Sequence, residues 1–402
     1  MRTHPEGFRT TTRRWVTAVS MVAVIGSSMA WPGRASAAQW DPEWEAVAGR
    51  SADAVATDAS GDVYVAGTVR SADAAWRSMV LVKYAADGEQ LWRRRWLGTA
   101  GFPYSVGRDV AVAPDGASVY VAGGELNDST EHARATVWAY SADDGTLMWR
   151  RAMWPHSSSV AEGIGAGPSG PVVGVAGRSE YPLLGDGRVA AFGMDGARSW
   201  TAPFEIPTVR RQTDDAVFDV DVDTGGRVFV VGAVERRRVT IDQWWDGRWS
   251  DVDVAIQRYD SEGQLMRSTL LADPGTKDRD AGLAIDVFDR MVMVAGLEGA
   301  TRAGGGHAWI ARATLRGHVV WSSRAGARPS VASGVALTPW GDVQLVGRTG
   351  AGPKRLFVRA YSPDGVLESR RHLDHAGASG VAASEDSAIY VVGGRTVWRL
   401  AP

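Results

Sequence analysis

Apolar residues recur along this chain in short bursts separated by Gly, Asp and Pro, and one burst is written almost identically seven times. It reads Val63-Tyr64-Val65-Ala66-Gly67, Val119-Tyr120-Val121-Ala122-Gly123, Val173-Gly174-Val175-Ala176-Gly177 and Val228-Phe229-Val230-Val231-Gly232. It continues as Val292-Met293-Val294-Ala295-Gly296, Val343-Gln344-Leu345-Val346-Gly347 and Ile389-Tyr390-Val391-Val392-Gly393. The closing glycines are 56, 54, 55, 64, 51 and 46 residues apart, the self-similarity of a repeat architecture.

Each copy has three companions. A small-residue apolar segment lies upstream (Val55-Ala56-Thr57, Val110-Ala111-Val112, Val335-Ala336-Leu337), joined by a turn such as Pro114-Asp115-Gly116. A third segment follows (Met79 to Tyr84, Leu356 to Tyr361), then a turn such as Asp87-Gly88 or Asp364-Gly365, then a fourth segment. In four copies the fourth carries a Trp: Trp92, Trp149, Trp200 and Trp321. Short β-type runs bounded by turn residues predict four strands, A to D, per repeat. Seven four-stranded units with a period near 50 predict an all-β, seven-bladed β-propeller. Small side chains on strand A suit the crowded axis. The strand D tryptophans are expected to fill the gaps between splaying blades rather than to hold a ligand.

The two ends predict how the ring closes. Thr396-Val397-Trp398-Arg399-Leu400 has the pattern of a strand C with no D after it, and Gln39 to Gly49 that of a strand D with no A, B or C before it. The N-terminal outer strand is therefore expected to pair with the C-terminal blade, protecting the sheet edges. Ahead of it stand Arg2, Arg9, Arg13 and Arg14, an apolar stretch from Trp15 to Ala30, and Ala35-Ser36-Ala37. That pattern predicts a signal peptide over 1–37 and a propeller over 38–402, secreted or periplasmic. The arginine pair leaves open export by the general or the twin-arginine route. The later sequence has no apolar run of membrane length.

Composition narrows the chemistry. The 402 residues carry 44 Lys+Arg against 46 Asp+Glu, a net charge of −2, which argues against a nucleic-acid partner held by a basic field. There is no Cys, so thiol nucleophiles and Cys-ligated metals are excluded. The seven His show no metal-ligand spacing, and neither a nucleophile elbow nor a phosphate-binding glycine loop is present.

The run Val55 to Gly67 resembles the bacterial SBBP-type propeller repeat and is similar to NHL-type repeats; Ala139 to Trp149 resembles the repeat of PQQ-type propellers. The resemblance implies a propeller over nearly all of the mature chain. PQQ itself is not carried over, because the family pattern includes eight blades and often a vicinal disulfide. Ser141 to Gly145 is also similar to the sialidase Asp-box, with Met148 where that motif has an aromatic residue.

Function is expected on the face that carries the variable B–C and D–A connections. The longest B–C connection holds Trp244, Trp245, Arg248 and Trp249, flat apolar faces beside a guanidinium fork, suited to a glycan, a peptide or a protein. A second set lies at the start of the A strands: Asp53, Asp109 and Glu162, with Asp219, Asp280, Ser333 and Ser379 in the later repeats. These should crowd the channel mouth, where carboxylates could hold Ca²⁺ or act as acid and base. No cofactor other than that cation is suggested, and a monomer is expected. The expectation is a non-enzymatic propeller binding an extracellular ligand or partner. The alternative is a hydrolase or lyase acting on an extracellular polysaccharide through the channel carboxylates.

Overall fold

The chain divides into two compact units, Met1–Ala38 and Gln39–Pro402. The structure, a computed structural model, describes residues 42–47, 51–70, 76–127, 129–130, 132–153, 158–178, 187–205, 215–235, 252–271, 279–300, 305–327, 329–350, 355–373 and 378–400. The predicted signal segment 1–37 and the loop bearing Trp244, Trp245, Arg248 and Trp249 lie outside the described residues.

The described residues of the second unit form strands and no helix. After β1 (Pro42–Val47), blade 1 is β2 (Ser51–Thr57), β3 (Val63–Arg70), β4 (Arg77–Tyr84) and β5 (Gln90–Trp96). Blade 2 is β6 (Tyr104–Val112), β7 (Ser118–Asn127), β8 (His132–Ser141) and β9 (Leu147–Ala152). Blade 3 is β10 (Ser158–Gly167), β11 (Gly170–Arg178), β12 (Gly187–Phe192) and β13 (Arg198–Phe204). Blade 4 is β14 (Ala216–Val222), β15 (Val228–Glu235), β16 (Val252–Tyr259) and β17 (Leu265–Leu271). Blade 5 is β18 (Arg279–Phe288), β19 (Met291–Ala300), β20 (His307–Thr314) and β21 (Val319–Arg324). Blade 6 is β22 (Ser330–Leu337), β23 (Val343–Thr349), β24 (Arg355–Tyr361) and β25 (Leu367–Leu373). Blade 7 is β26 (Gly380–Ala383), β27 (Ile389–Gly393) and β28 (Thr396–Leu400), completed by β1. Strand β1 pairs antiparallel with β28, from Pro42 opposite Leu400 to Val47 opposite Thr396. The ring closes as the sequence predicts.

Each blade buries both faces against its neighbours, so the second strand has no polar side. Val63, Tyr64, Val65 and Ala66 of β3, and their counterparts in β7 and β27, are essentially inaccessible. Successive residues feed different cores: Val63 and Val65 pack toward blade 7, whereas Tyr64 and Ala66 pack toward blade 2.

The repeated glycine has a geometric cause. The A strands of blades 1 to 6 carry a β-bulge near their beginnings, at Asp53, Arg108, Glu162, Phe218, Leu283 and Ser333. In five of these blades a backbone carbonyl just ahead of the bulge presses onto the repeat glycine. A Cβ on Gly67, Gly123, Gly232, Gly296 or Gly347 would lie 1.9–2.1 Å from that oxygen. Blade 3 departs from the sequence phrase: the residue after its bulge, Gly163, pairs with Gly174, which puts Val175 and not Gly177 at the repeat position. The two-residue offset keeps every side chain on its face.

The strand D tryptophans staple one blade to the next. Trp149 Nε1–H donates to Met194 O at 2.7 Å, and its ring covers Gly196, where a Cβ would meet the indole at 2.6 Å. Trp92 repeats this on Ala142 O and Gly145, Trp200 on Ser261 O and Gly263, and Trp321 on Pro363 O and Gly365. Each of these glycines closes a C–D turn with positive φ, 70–84°. Only a residue without Cβ meets both demands.

Candidate functional site: the axial cavity

The first strands ring a cavity of about 240 Å³ to which all seven blades contribute. The bulges decide what it is lined with. A bulge leaves one residue outside the ladder and turns it out of the strand. Going round the axis, these are Asp53, Arg108, Glu162, Phe218, Leu283 and Ser333, with Ser379 at the corresponding place before β26. The mouth thus has three sectors: charged over blades 1 to 3, apolar over blades 4 and 5, hydroxylic over blades 6 and 7. The bulges sit near where the A strands leave the D–A connections, so the cavity belongs to the face of the variable loops.

Arg108 and Glu162 form an ion pair across blades 2 and 3 at 3.6 Å. Burial raises the Asp53 carboxyl above its ordinary range, partly offset by a hydrogen bond from Ser51 and by the charge of Arg108. Ser333 Oγ–H donates to Ala378 O at 2.6 Å, tying blade 6 to blade 7.

The residue following the bulge behaves differently. Strand A is an edge strand, and some of its N–H groups point at the axis with no ladder partner. Aspartates supply one. Asp109 accepts Val110 N–H on Oδ1 and Ile164 N–H of blade 3 on Oδ2, at 2.8 and 2.7 Å. Asp219 accepts Val220 N–H and Ile285 N–H of blade 5, both at 2.8 Å. Two residues deeper, Asp221 accepts Val222 and Val287 N–H at 2.7 Å, and Asp286 accepts Leu337 N–H of blade 6 at 2.6 Å. These four carboxylates are latches between blades. Although Asp109 and Asp219 face the cavity, protein surrounds their carboxyl groups, and desolvation dominates their ionisation. Asp109 is pushed up to about 7 and Asp286 to about 6. Asp219 is raised by burial and by Asp109; Asp221 is raised by burial and by Asp286, to which it is hydrogen-bonded.

Of the sequence-predicted carboxylates, Asp53, Asp109, Glu162 and Asp219 line the cavity together with Ser333 and Ser379. Asp280 does not: it lies earlier in β18, buried, and accepts Gly299 N–H at 2.7 Å, and Leu283 holds the bulge position in blade 5. Asp221 and Asp286 escaped the sequence reading. The alternation Asp219-Val220-Asp221 was their signal, since residues two apart in a strand share a face. Among the described residues no three carboxylate or imidazole groups come close enough to hold a metal ion.

A further polar centre, also unforeseen, lies in the cleft between blades 1 and 2 on the same face. Glu125 of β7 is fully buried. It accepts Trp96 Nε1–H of blade 1 at 2.8 Å, Arg134 Nε–H at 2.7 Å and Arg150 Nε–H at 2.8 Å. A Glu interrupting an otherwise apolar B strand is the trace it leaves in the sequence.

No family model and no curated protein matches this sequence. Solved structures do match in shape. The WD40 β-propeller domain of Doa1 superposes with a TM-score of 0.56 at 12% identity, over 90% of this chain and 97% of that one. Streptogramin B lyase gives 0.55 at 12% identity, over 89% and 97%. Raptor from Chaetomium thermophilum gives 0.56 at 11% identity, over 90% of this chain and 29% of its own. Among the described residues no helix is long and apolar enough to cross a membrane. Likeness at such identities concerns the fold alone, and the fold is a β-propeller.

Proposed function

We propose that the protein is an exported, non-catalytic β-propeller that binds a small ligand or a short segment of a partner at the axial cavity. Export rests on the N-terminal Arg-rich, apolar and Ala-Ser-Ala pattern. The loop with Trp244, Trp245, Arg248 and Trp249, outside the described residues, is proposed as a further contributor to binding on the strength of its sequence alone. One observation carries the binding reading. The seven inward-turned positions differ in chemistry, while the carboxylates beneath them are engaged as latches, with both oxygens of Asp109 and Asp219 accepting backbone N–H groups. A scaffold that repeats its frame and varies its mouth is built for recognition.

Glycan and peptide arrays read with the wild type, Phe218→Ser and Trp245→Ala test this. Binding by the wild type that either substitution weakens tenfold or more supports the site. Equal binding by all three removes it from the account. The hydrolase or lyase alternative draws on Asp109, a residue of the cavity lining whose carboxyl burial pushes up to about 7, and would require it to leave its latch to Ile164 N–H. Turnover of a polysaccharide that disappears in folded Asp109→Asn would favour it over binding.

A further inference from the structure

The charged sector of the axial cavity is a row of alternating sign. Asp53 of blade 1, Arg108 of blade 2 and Glu162 of blade 3 follow one another round the axis. Arg108 is loosely held in this row. Its Nε stands 3.6 Å from Glu162 Oε2, too far for a hydrogen bond, and its charge also reaches Asp53 on the other side. Among the described residues no oxygen accepts a hydrogen bond from the guanidinium, and 39% of the side chain is open. Asp53 is fixed from behind, since Ser51 Oγ–H donates to its Oδ1 at 2.5 Å. The fork of Arg108 is thus flanked by charge on both sides while its donors stay available to the cavity.

The next sector is a wall. Phe218 and Leu283 rest against one small core of Ala233, Val252 and Ala281, so they present adjoining apolar surface beside Glu162. The cavity, about 240 Å³, lies just below the range of about 300–1,000 Å³ that drug-sized ligands fill. Its size suits a single small metabolite better than a length of polymer.

We propose that the cavity takes a free α-amino acid with an apolar side chain of leucine or phenylalanine size, an assignment that rests on the axial cavity being the binding site. The α-carboxylate meets the guanidinium of Arg108, the α-ammonium meets Glu162, and the side chain lies on Phe218 and Leu283. An α-carbon carries an anion, a cation and an apolar group, and the cavity offers the complement of each on successive blades. A lone anion at Arg108 would face the carboxylates on either side of it, and a lone cation at Glu162 would face Arg108; both are like-charge contacts. A zwitterion offsets them. Having no net charge, it depends on local pairing and not on the sign of the wider field. A neutral sugar would cover the charged row and leave it unpaired, at the cost of desolvation.

The test is calorimetric titration of the full mature chain with L-leucine and L-phenylalanine, with free glycine, and with the N-acetyl derivative and the amide of each of the two. At least one of the two amino acids is expected to bind. Loss of the ammonium by acetylation, of the carboxylate by amidation, or of the side chain in free glycine should each weaken binding about tenfold or more. These comparisons need no variant. Arg108→Gln then tells which group meets which residue. It should weaken the amino acid about tenfold and leave the amide unchanged, because the amide lacks the group that Arg108 holds. A merely structural role for Arg108 predicts equal loss for both. If Arg108→Gln does not fold, Arg108→Lys, which keeps the charge and loses the fork, is read in the same way. Binding of neither amino acid, a derivative that binds as well as its parent, or a folded variant that loses both ligands alike overturns the proposal. If neither amino acid binds but an array ligand does, and Phe218→Ser weakens it, the axial site stands and this assignment alone falls.

Discussion

Single aspartates hold neighbouring blades in register at the axis. Asp221 and Asp286 are hydrogen-bonded to one another in a desolvated place, so the pair shares a proton and both carboxyl groups titrate high. The sign for stability follows from linkage. A carboxyl whose folded pKa lies above its unfolded value binds more protons when folded. Its contribution is complete below the unfolded value near 4 and is lost as pH rises through about 6 for Asp286 and about 7 for Asp109. The melting temperature should therefore climb as pH falls from 7.5 to 5, and the climb should shrink in Asp221→Asn. A melting temperature flat over this range in the wild type would contradict the shared proton. Removing a latch altogether acts at any pH. Asp219→Ala strands the Ile285 N–H and should cost about 1–3 kcal/mol in urea unfolding. At this scale the sequence was partly legible. It placed Asp53, Asp109, Glu162 and Asp219 at the mouth because they lie 13 to 15 residues ahead of the repeat glycine, a register loose by a residue or two. It missed Asp280's true position because Asp280 lies three residues ahead of the bulge at Leu283, and spacing alone does not see a bulge.

Among elements, the staple from one blade's outer strand to the next blade's C–D turn joins the repeats. Trp149→Phe keeps the ring stacked on Gly196 but loses the donor to Met194 O, and should cost about 1 kcal/mol. Gly196→Ala should cost more, since a Cβ 2.6 Å from the indole forces ring and turn apart. Chemical denaturation of the two variants side by side checks the order. The tryptophan pattern was readable because four copies carry the residue at one offset from a turn glycine. What each indole touches was not, because the partner turn belongs to the following repeat. Blades 4 and 6 depart from this: Ser369 holds the Trp position in blade 6 and Arg267 in blade 4, where the turn glycine opposite, Gly317, lies against Thr269. The glycine-bulge coupling was hidden similarly. A string shows a repeated Gly, but the carbonyl that excludes a Cβ belongs to strand A, about fifteen residues earlier.

At the level of the whole molecule, a frame repeated seven times carries charged, apolar and hydroxylic residues in turn at the position that leads into the cavity. The blade count and the closure could be read from periodicity and from the patterns at the two ends, since every copy must bury its faces and the last needs an outer strand. The cleft at Glu125 could not, because it is assembled from β5, β7, β8, β9 and a connection that the repeat pattern does not cover. Deleting residues 38–48 removes the strand opposite β28 and leaves the last blade with an open edge. The variant should melt well below the wild type and associate through that edge, visible by calorimetry and light scattering. An unchanged melting curve would contradict the sealing role of β1.

The same seam has a mechanical side. Pro42 lies opposite Leu400 and Val47 opposite Thr396, so the chain enters and leaves the pair at one end. Tension between the two termini would load these hydrogen bonds one after another, as in opening a zip fastener, and not all together as in shear. A pulled molecule should therefore part first along β1 and β28, at low force, while the other six blades keep their shape.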